Sequence, residues 1–130
     1  MMGVVAIENL RRTLRVLAVV PIMAGIATVL FGSDIIPGGG RPGASVESEL
    51  RFYGAWWIGA GLFLLSLAPR IEERGRELQA FAALLALGAV GRVIALVDDG
   101  RPHAQFLVLL GVEIVVAGVL VAWQRRVARS

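Results

Sequence analysis

The sequence predicts an all-α protein: a membrane-embedded four-helix antiparallel bundle with its N and C termini cytoplasmic. Three observations predict it. Hydrophobic residues make up 57% of the 130 residues and the mean hydropathy is +0.75, more apolar surface than the interior of a small soluble domain can hide. That excess is gathered into four runs of about 20 residues, the length that crosses a bilayer as a helix. The basic residues alternate from one side of these runs to the other, which is a topology signal.

The spans fall at about 14–32, 50–68, 78–97 and 104–123, within a single domain over residues 1–130. Lipid-exposed backbone must satisfy its own hydrogen bonds, so the runs are helices rather than open strands. Ahead of the first span, Val4, Val5 and Ile7 mark a short interfacial helix or a frayed extension of that span. Pro21 lies inside the first span, where it is expected to kink the helix or free a carbonyl for neighbours to satisfy. The stretch "LRRTLRVLAVV" loosely resembles a twin-arginine or secretory signal, but the chain beyond it is itself membrane, so it reads as a positive-inside anchor.

The loop after the first span, "GSDIIPGGGRPGAS", is flexible by composition. Its Gly38-Gly39-Gly40 run lacks the lysine and the strand-to-helix setting of a phosphate cradle. The other connections are 69–77 and the short 98–103, where Asp98-Asp99-Gly100 is a turn signal. His103, after Pro102, belongs to the loop or the start of the fourth helix. Arg11, Arg12 and Arg15 precede the first span, Arg70, Arg74 and Arg76 fill the middle loop, and Arg125, Arg126 and Arg129 follow the last span. The two remaining connections carry only Arg41 and Arg101, so the termini and the middle loop are expected in the cytoplasm.

Composition also removes chemistries. There is no Cys, which excludes disulfides, iron–sulfur clusters and thiolate zinc sites. All thirteen basic residues are Arg, which removes the Schiff-base and P-loop lysines. One His cannot build a multi-histidine metal site. Despite a pI near 11.0, the arginines form no basic face or arm of the kind nucleic acids require. Ser66 and the other serines have no base beside them. The expectation is no enzyme, no metal, no cofactor and no nucleic-acid partner.

Charges inside membrane spans are rare and face a protein interior, paired with something. Three stand out: Arg51 near the start of the second span, Arg92 in the third and Glu113 in the fourth. The short 98–103 connection makes the last two spans a tight hairpin. Arg92 then lies roughly 9 Å and Glu113 roughly 15 Å below the outer surface, at 1.5 Å per residue, a difference one Arg side chain can bridge. Arg92 and Glu113 are therefore expected as an ion pair, with Arg51 reaching the same outer half to complete a cluster. That cluster locks helix register, forms a polar pocket for a ligand, or lines a proton or ion path. In the second case Arg51, Tyr53, Trp57, Arg92 and Glu113 are the ligand-binding candidates. Tyr53, Trp56 and Trp57 are also typical of an interfacial aromatic belt. Gly54, Gly59 and Gly61 are expected as packing notches.

The ordered blocks "ELRFYGAWWIGAGLFLLSLAPRI", "GAVGRVIALVDDGRPH" and "LLGVEIVVAGVLVAWQRR" resemble a family of small bacterial membrane proteins, domain of unknown function 4345. The matching positions are Arg51, Tyr53, Gly54, Gly91, Arg92, Gly100, Pro102 and Glu113. The resemblance implies four helices in a bacterial inner membrane and implies no activity.

Two functions are expected from these residues. One is an integral membrane protein that binds a lipid-like or small hydrophobic ligand beside the Arg/Glu cluster. The other is a structural or accessory subunit that docks a membrane-protein partner or self-associates as a homo-oligomer, with the cluster purely structural. In both, the lipid bilayer is the first partner.

Overall fold

The structure is a computed structural model and describes residues 2–129. The outermost residue at each end of the expected 1–130 domain lies outside it. Four helices account for most of the chain: α1 Met2–Phe31, α2 Ala44–Leu67, α3 Gly75–Asp98 and α4 Ala104–Val127. Short 3-10 turns follow α1 at Gly32–Ile35 and α2 at Ala68–Arg70. There is no strand among the described residues. Four helical stretches, Gly3–Ile35, Ala44–Arg70, Gly75–Asp98 and Ala104–Val127, are long and apolar enough to cross a membrane. Large apolar side chains stay exposed along all four; Val97, for one, is 76% exposed.

Most of the helices outrun the apolar runs that predict them. Helix α1 begins at Met2 rather than residue 14, α2 at Ala44 rather than 50, and α4 continues to Val127 rather than 123. Hydropathy marks the depth of a hydrocarbon layer, whereas helical hydrogen bonding continues until something breaks it. Glu, Arg and Gln, which flank the runs, are good helix formers. Of the two alternatives for the residues before the first span, the extension of that span is the one observed. These residues continue α1, and Leu10 among them is fully buried. At about 45 Å, α1 is longer than a hydrocarbon core of about 30 Å. It runs through Pro21 without interruption.

The chain forms two compact units: Arg11–Pro69, and the residues from Arg70 onward together with those up to Leu10. In the first, α1 and α2 meet through small residues seven apart. A β-carbon on Gly61 would lie 2.7 Å from the Ala18 carbonyl oxygen and 2.5 Å from Ile22 Cγ1. One on Gly54 would lie 2.9 Å from the Gly25 carbonyl oxygen. At Gly32 the intruding neighbour is the Glu47 carboxylate. So Ala18, Gly25 and Gly32 on the α1 side face Gly61, Gly54 and Glu47 on α2. Only the loss of side chains lets the backbones come this close, which is how helices gain van der Waals contact in lipid. Gly59, by contrast, faces open space and is no notch. Gly32 also needs the left-handed φ of +56° that turns the chain out of α1.

In the second unit, α3 and α4 pack on each other along seams that alternate steps of four and three. On α3 the covered positions include Leu78, Ala82, Leu85, Ala89, Arg92 and Leu96; on α4 they include Phe106, Leu110, Glu113, Ala117, Leu120, Gln124 and Val127. This is the spacing of knobs-into-holes packing at a shallow crossing angle. The start of α3 lies against the end of α4, where Gly75 meets Gln124, and Arg92 meets Glu113 farther along. Glycine at φ +93° in position 100 allows the turn between them, and His103 caps α4 by accepting the Gln105 N–H on Nδ1 at 3.3 Å.

Candidate functional site

Arg92 and Glu113 occupy facing seam positions, so the packing of α3 on α4 brings them together. The contact is bidentate. Arg92 Nε donates to one Glu113 oxygen and Nη2 to the other, each at 3.0 Å. The planar guanidinium fork matches the carboxylate, and two parallel charge-assisted bonds fix orientation as well as distance. The Phe106 ring lies 5.9 Å from Arg92 Cζ, near enough for a cation–π contribution. The Arg92 and Glu113 side chains retain 27% and 13% exposure, so the pair is part-buried rather than sealed. Charge balance is complete within the pair.

Arg51, expected in a cluster with these two, is engaged within its own compact unit. Its Nη1 donates to the carbonyl oxygens of Val29 at 2.5 Å and Leu30 at 3.2 Å, and its Nε stands 3.9 Å from Glu47. The carbonyls at the end of α1 have no intrahelical donor, and a cation there also meets the negative end of the helix dipole. These local partners use the Arg51 fork, and its side chain stays 47% exposed. Arg51 is a helix cap.

Glu47 completes that cap. Its carboxylate accepts the Ser33 backbone N–H at 3.2 Å and the Ser33 hydroxyl. Ser33 is buried, and with Gly32 beside it the acid, the hydroxyl and the chain reversal form one unit. Glu47 does not stand out in the sequence because it precedes the apolar run. The available signal was its spacing, seven before Gly54 and fourteen before Gly61.

Tyr53 and Trp57, the aromatic ligand candidates, are exposed at 55% and 39%. Phe52 stacks edge-on against both Tyr53 and Trp56, making an exposed aromatic patch near the start of α2. The Ser66 hydroxyl donates back to the Phe63 carbonyl at 2.6 Å, a bond within its own helix. Among the described residues no three His, Asp or Glu side chains gather as metal ligands.

Gln124 is the second polar residue whose role the sequence does not announce. It sits in the α4 seam, only 4% exposed, and its Nε2 donates to the Ile71 carbonyl at 3.4 Å. A polar residue at a position that the four–three spacing marks as covered was the signal.

Helices with four candidate membrane spans and one bidentate ion pair between the third and fourth define the class: an all-helical chain built for an apolar surround. Within it, the chain belongs to the family described as Domain of unknown function (DUF4345), whose model matches residues 10–124, nearly the whole chain. No curated protein and no solved structure matches it.

Proposed function

We propose that the chain is a multi-pass protein of the bacterial cytoplasmic membrane, an antiparallel four-helix bundle with cytoplasmic termini, acting as a structural or accessory subunit rather than an enzyme. The bidentate Arg92–Glu113 bond carries this reading. Each charge is consumed by the other, which suits a register lock better than a site awaiting a ligand. The apolar side chains exposed on all four helices supply surface for lipid and for a membrane partner or a second copy. The distribution of arginines supports the orientation.

The experiment is in two parts. The chain has no native Cys, so single cysteines at Gly40 and Ala128 report sidedness through an impermeant thiol reagent in intact cells. Labelling of Gly40→Cys but not Ala128→Cys is expected; the reverse pattern overturns the orientation. Cross-linking in native membranes should then give a dimer or a defined heteromer. Monomer alone, across several linker lengths, would count against the subunit role.

One observation favours the ligand reading as a second choice. Between Gly91 and Val116 no residue of α3 or α4 is buried, so the ion pair lies in the thinly covered part of its unit. Native mass spectrometry of gently extracted protein distinguishes the readings: a retained lipid-like or small hydrophobic molecule, lost in Arg92→Gln, supports ligand binding.

A further inference from the structure

The buried amide of Gln124 ties three pieces of chain together, and arginine flanks each of them. Gln124 Nε2 bonds to the carbonyl of Ile71, which follows Arg70. Gly75, between Arg74 and Arg76, lies so close that a β-carbon would stand 2.5 Å from the same nitrogen. Arg125 and Arg126 come directly after Gln124, and Arg129 follows them. All six side chains are exposed. Arg74 is bonded to Glu77 at 2.8 Å. Arg76 also lies near enough to Glu77 to stabilise its carboxylate. Among the described residues no acidic partner is seen for Arg70, Arg125, Arg126 and Arg129. Glu72 and Glu73 are the other acids on this stretch.

Four uncommitted arginines, with Arg74 and Arg76 beside them, are thus carried by the chain segments that meet at one buried amide, where α3 begins and α4 ends. Trp123 directly precedes it, and Trp characteristically sits at headgroup level. Guanidinium is planar and weakly hydrated, and it grips phosphate oxygens through paired N–H donors, which an ammonium cannot do. All thirteen basic residues of the chain are Arg. Basic groups at this level are attracted to an anionic leaflet.

We propose that this collar is a docking surface for the phosphate headgroups of anionic phospholipids. It rests on the membrane-embedded reading and goes beyond it, because orientation signals require only positive charge on one side. A docking surface requires that anionic lipid be enriched here over the surrounding bilayer.

The test uses the full chain with Trp56→Phe and Trp57→Phe, leaving Trp123 as the sole tryptophan. It is reconstituted into phosphatidylcholine vesicles in which a fixed fraction is dibrominated phosphatidylglycerol or, separately, dibrominated phosphatidylcholine; bromine quenches tryptophan on contact. Quenching by the anionic lipid should correspond to an enrichment of about threefold or more at Trp123. It should fall toward parity as salt rises from about 0.1 to about 1 M. Replacing Arg70, Arg76, Arg125, Arg126 and Arg129 together by Gln should abolish it, and Lys at the same positions should retain part. The salt series needs no arginine substitution, so its result does not depend on how those variants fold. Equal quenching by both lipids at low salt would overturn the proposal and leave the membrane reading intact. Quenching by neither would overturn both.

Discussion

Arg92 on α3 and Glu113 on α4 hold each other through two parallel hydrogen bonds of 3.0 Å, one to each carboxylate oxygen. They take facing positions in the seam between two helices whose other covered residues are mostly Leu and Ala. A polar pair at such a position tells a helix hairpin which register is correct. Slipping one helix by a turn would leave two charges unpaired in an apolar surround.

The pair is therefore expected to be worth little as a pair and much when broken. Removing one partner of a buried ion pair typically costs about 3–5 kcal/mol, because the other charge is stranded. Partial exposure places Glu113→Leu and Arg92→Leu near about 3 kcal/mol, the lower end of that range. The double substitution should be much milder than the sum. Reversible unfolding in detergent, followed by circular dichroism, gives the cycle; equal additivity of the two losses would show that the bond carries no coupling.

Arg51 should be energetically independent of that pair. Its bonds end on Val29, Leu30 and Glu47, and residues without shared partners combine additively to within about 0.5 kcal/mol. A cycle between Arg51→Gln and Glu113→Leu should show coupling no larger than that. Coupling well above about 1 kcal/mol would restore the three-residue cluster expected from sequence.

The cap itself predicts a local effect. In Arg51→Gln or Glu47→Ala the loss of these hydrogen bonds should appear at one place. Amide exchange should rise over residues 29–35, at the end of α1 and the turn after it, with α4 unaffected. Exchange that rises evenly along the chain would contradict a cap.

Glycine substitutions should divide by sign. At Gly54 and Gly61 an added β-carbon meets backbone oxygen on the facing helix, so Gly→Ala should destabilise by about 1–3 kcal/mol, the range for overpacking. At Gly59, Gly88 and Gly111 the space is open. There alanine should stabilise by about 0.5–1 kcal/mol through backbone entropy. Thermal melts of the five variants decide it. A loss at the open sites as large as at Gly54 would mean that those faces are covered by something in the sample.

The sequence by itself determined the helices, their number and the Arg92–Glu113 pairing. Apolar runs of membrane length leave no alternative to a helix in lipid, and the six-residue connection 98–103 keeps its two helices adjacent, so two charges at similar depth must meet. It did not place the ends of α1, α2 and α4, because hydropathy reports the hydrocarbon layer and the helices run past it. Only the tertiary structure decided where Arg51 goes. A long side chain near a helix start has several acceptors within reach, and the carbonyls closing α1 come near it only after Ala18, Gly25 and Gly32 have packed on Gly61, Gly54 and Glu47. Glu47 and Gln124 stayed hidden for the same reason. Each is an ordinary polar residue until a neighbouring segment comes against it and supplies its partners, Ser33 for Glu47 and the Ile71 carbonyl for Gln124.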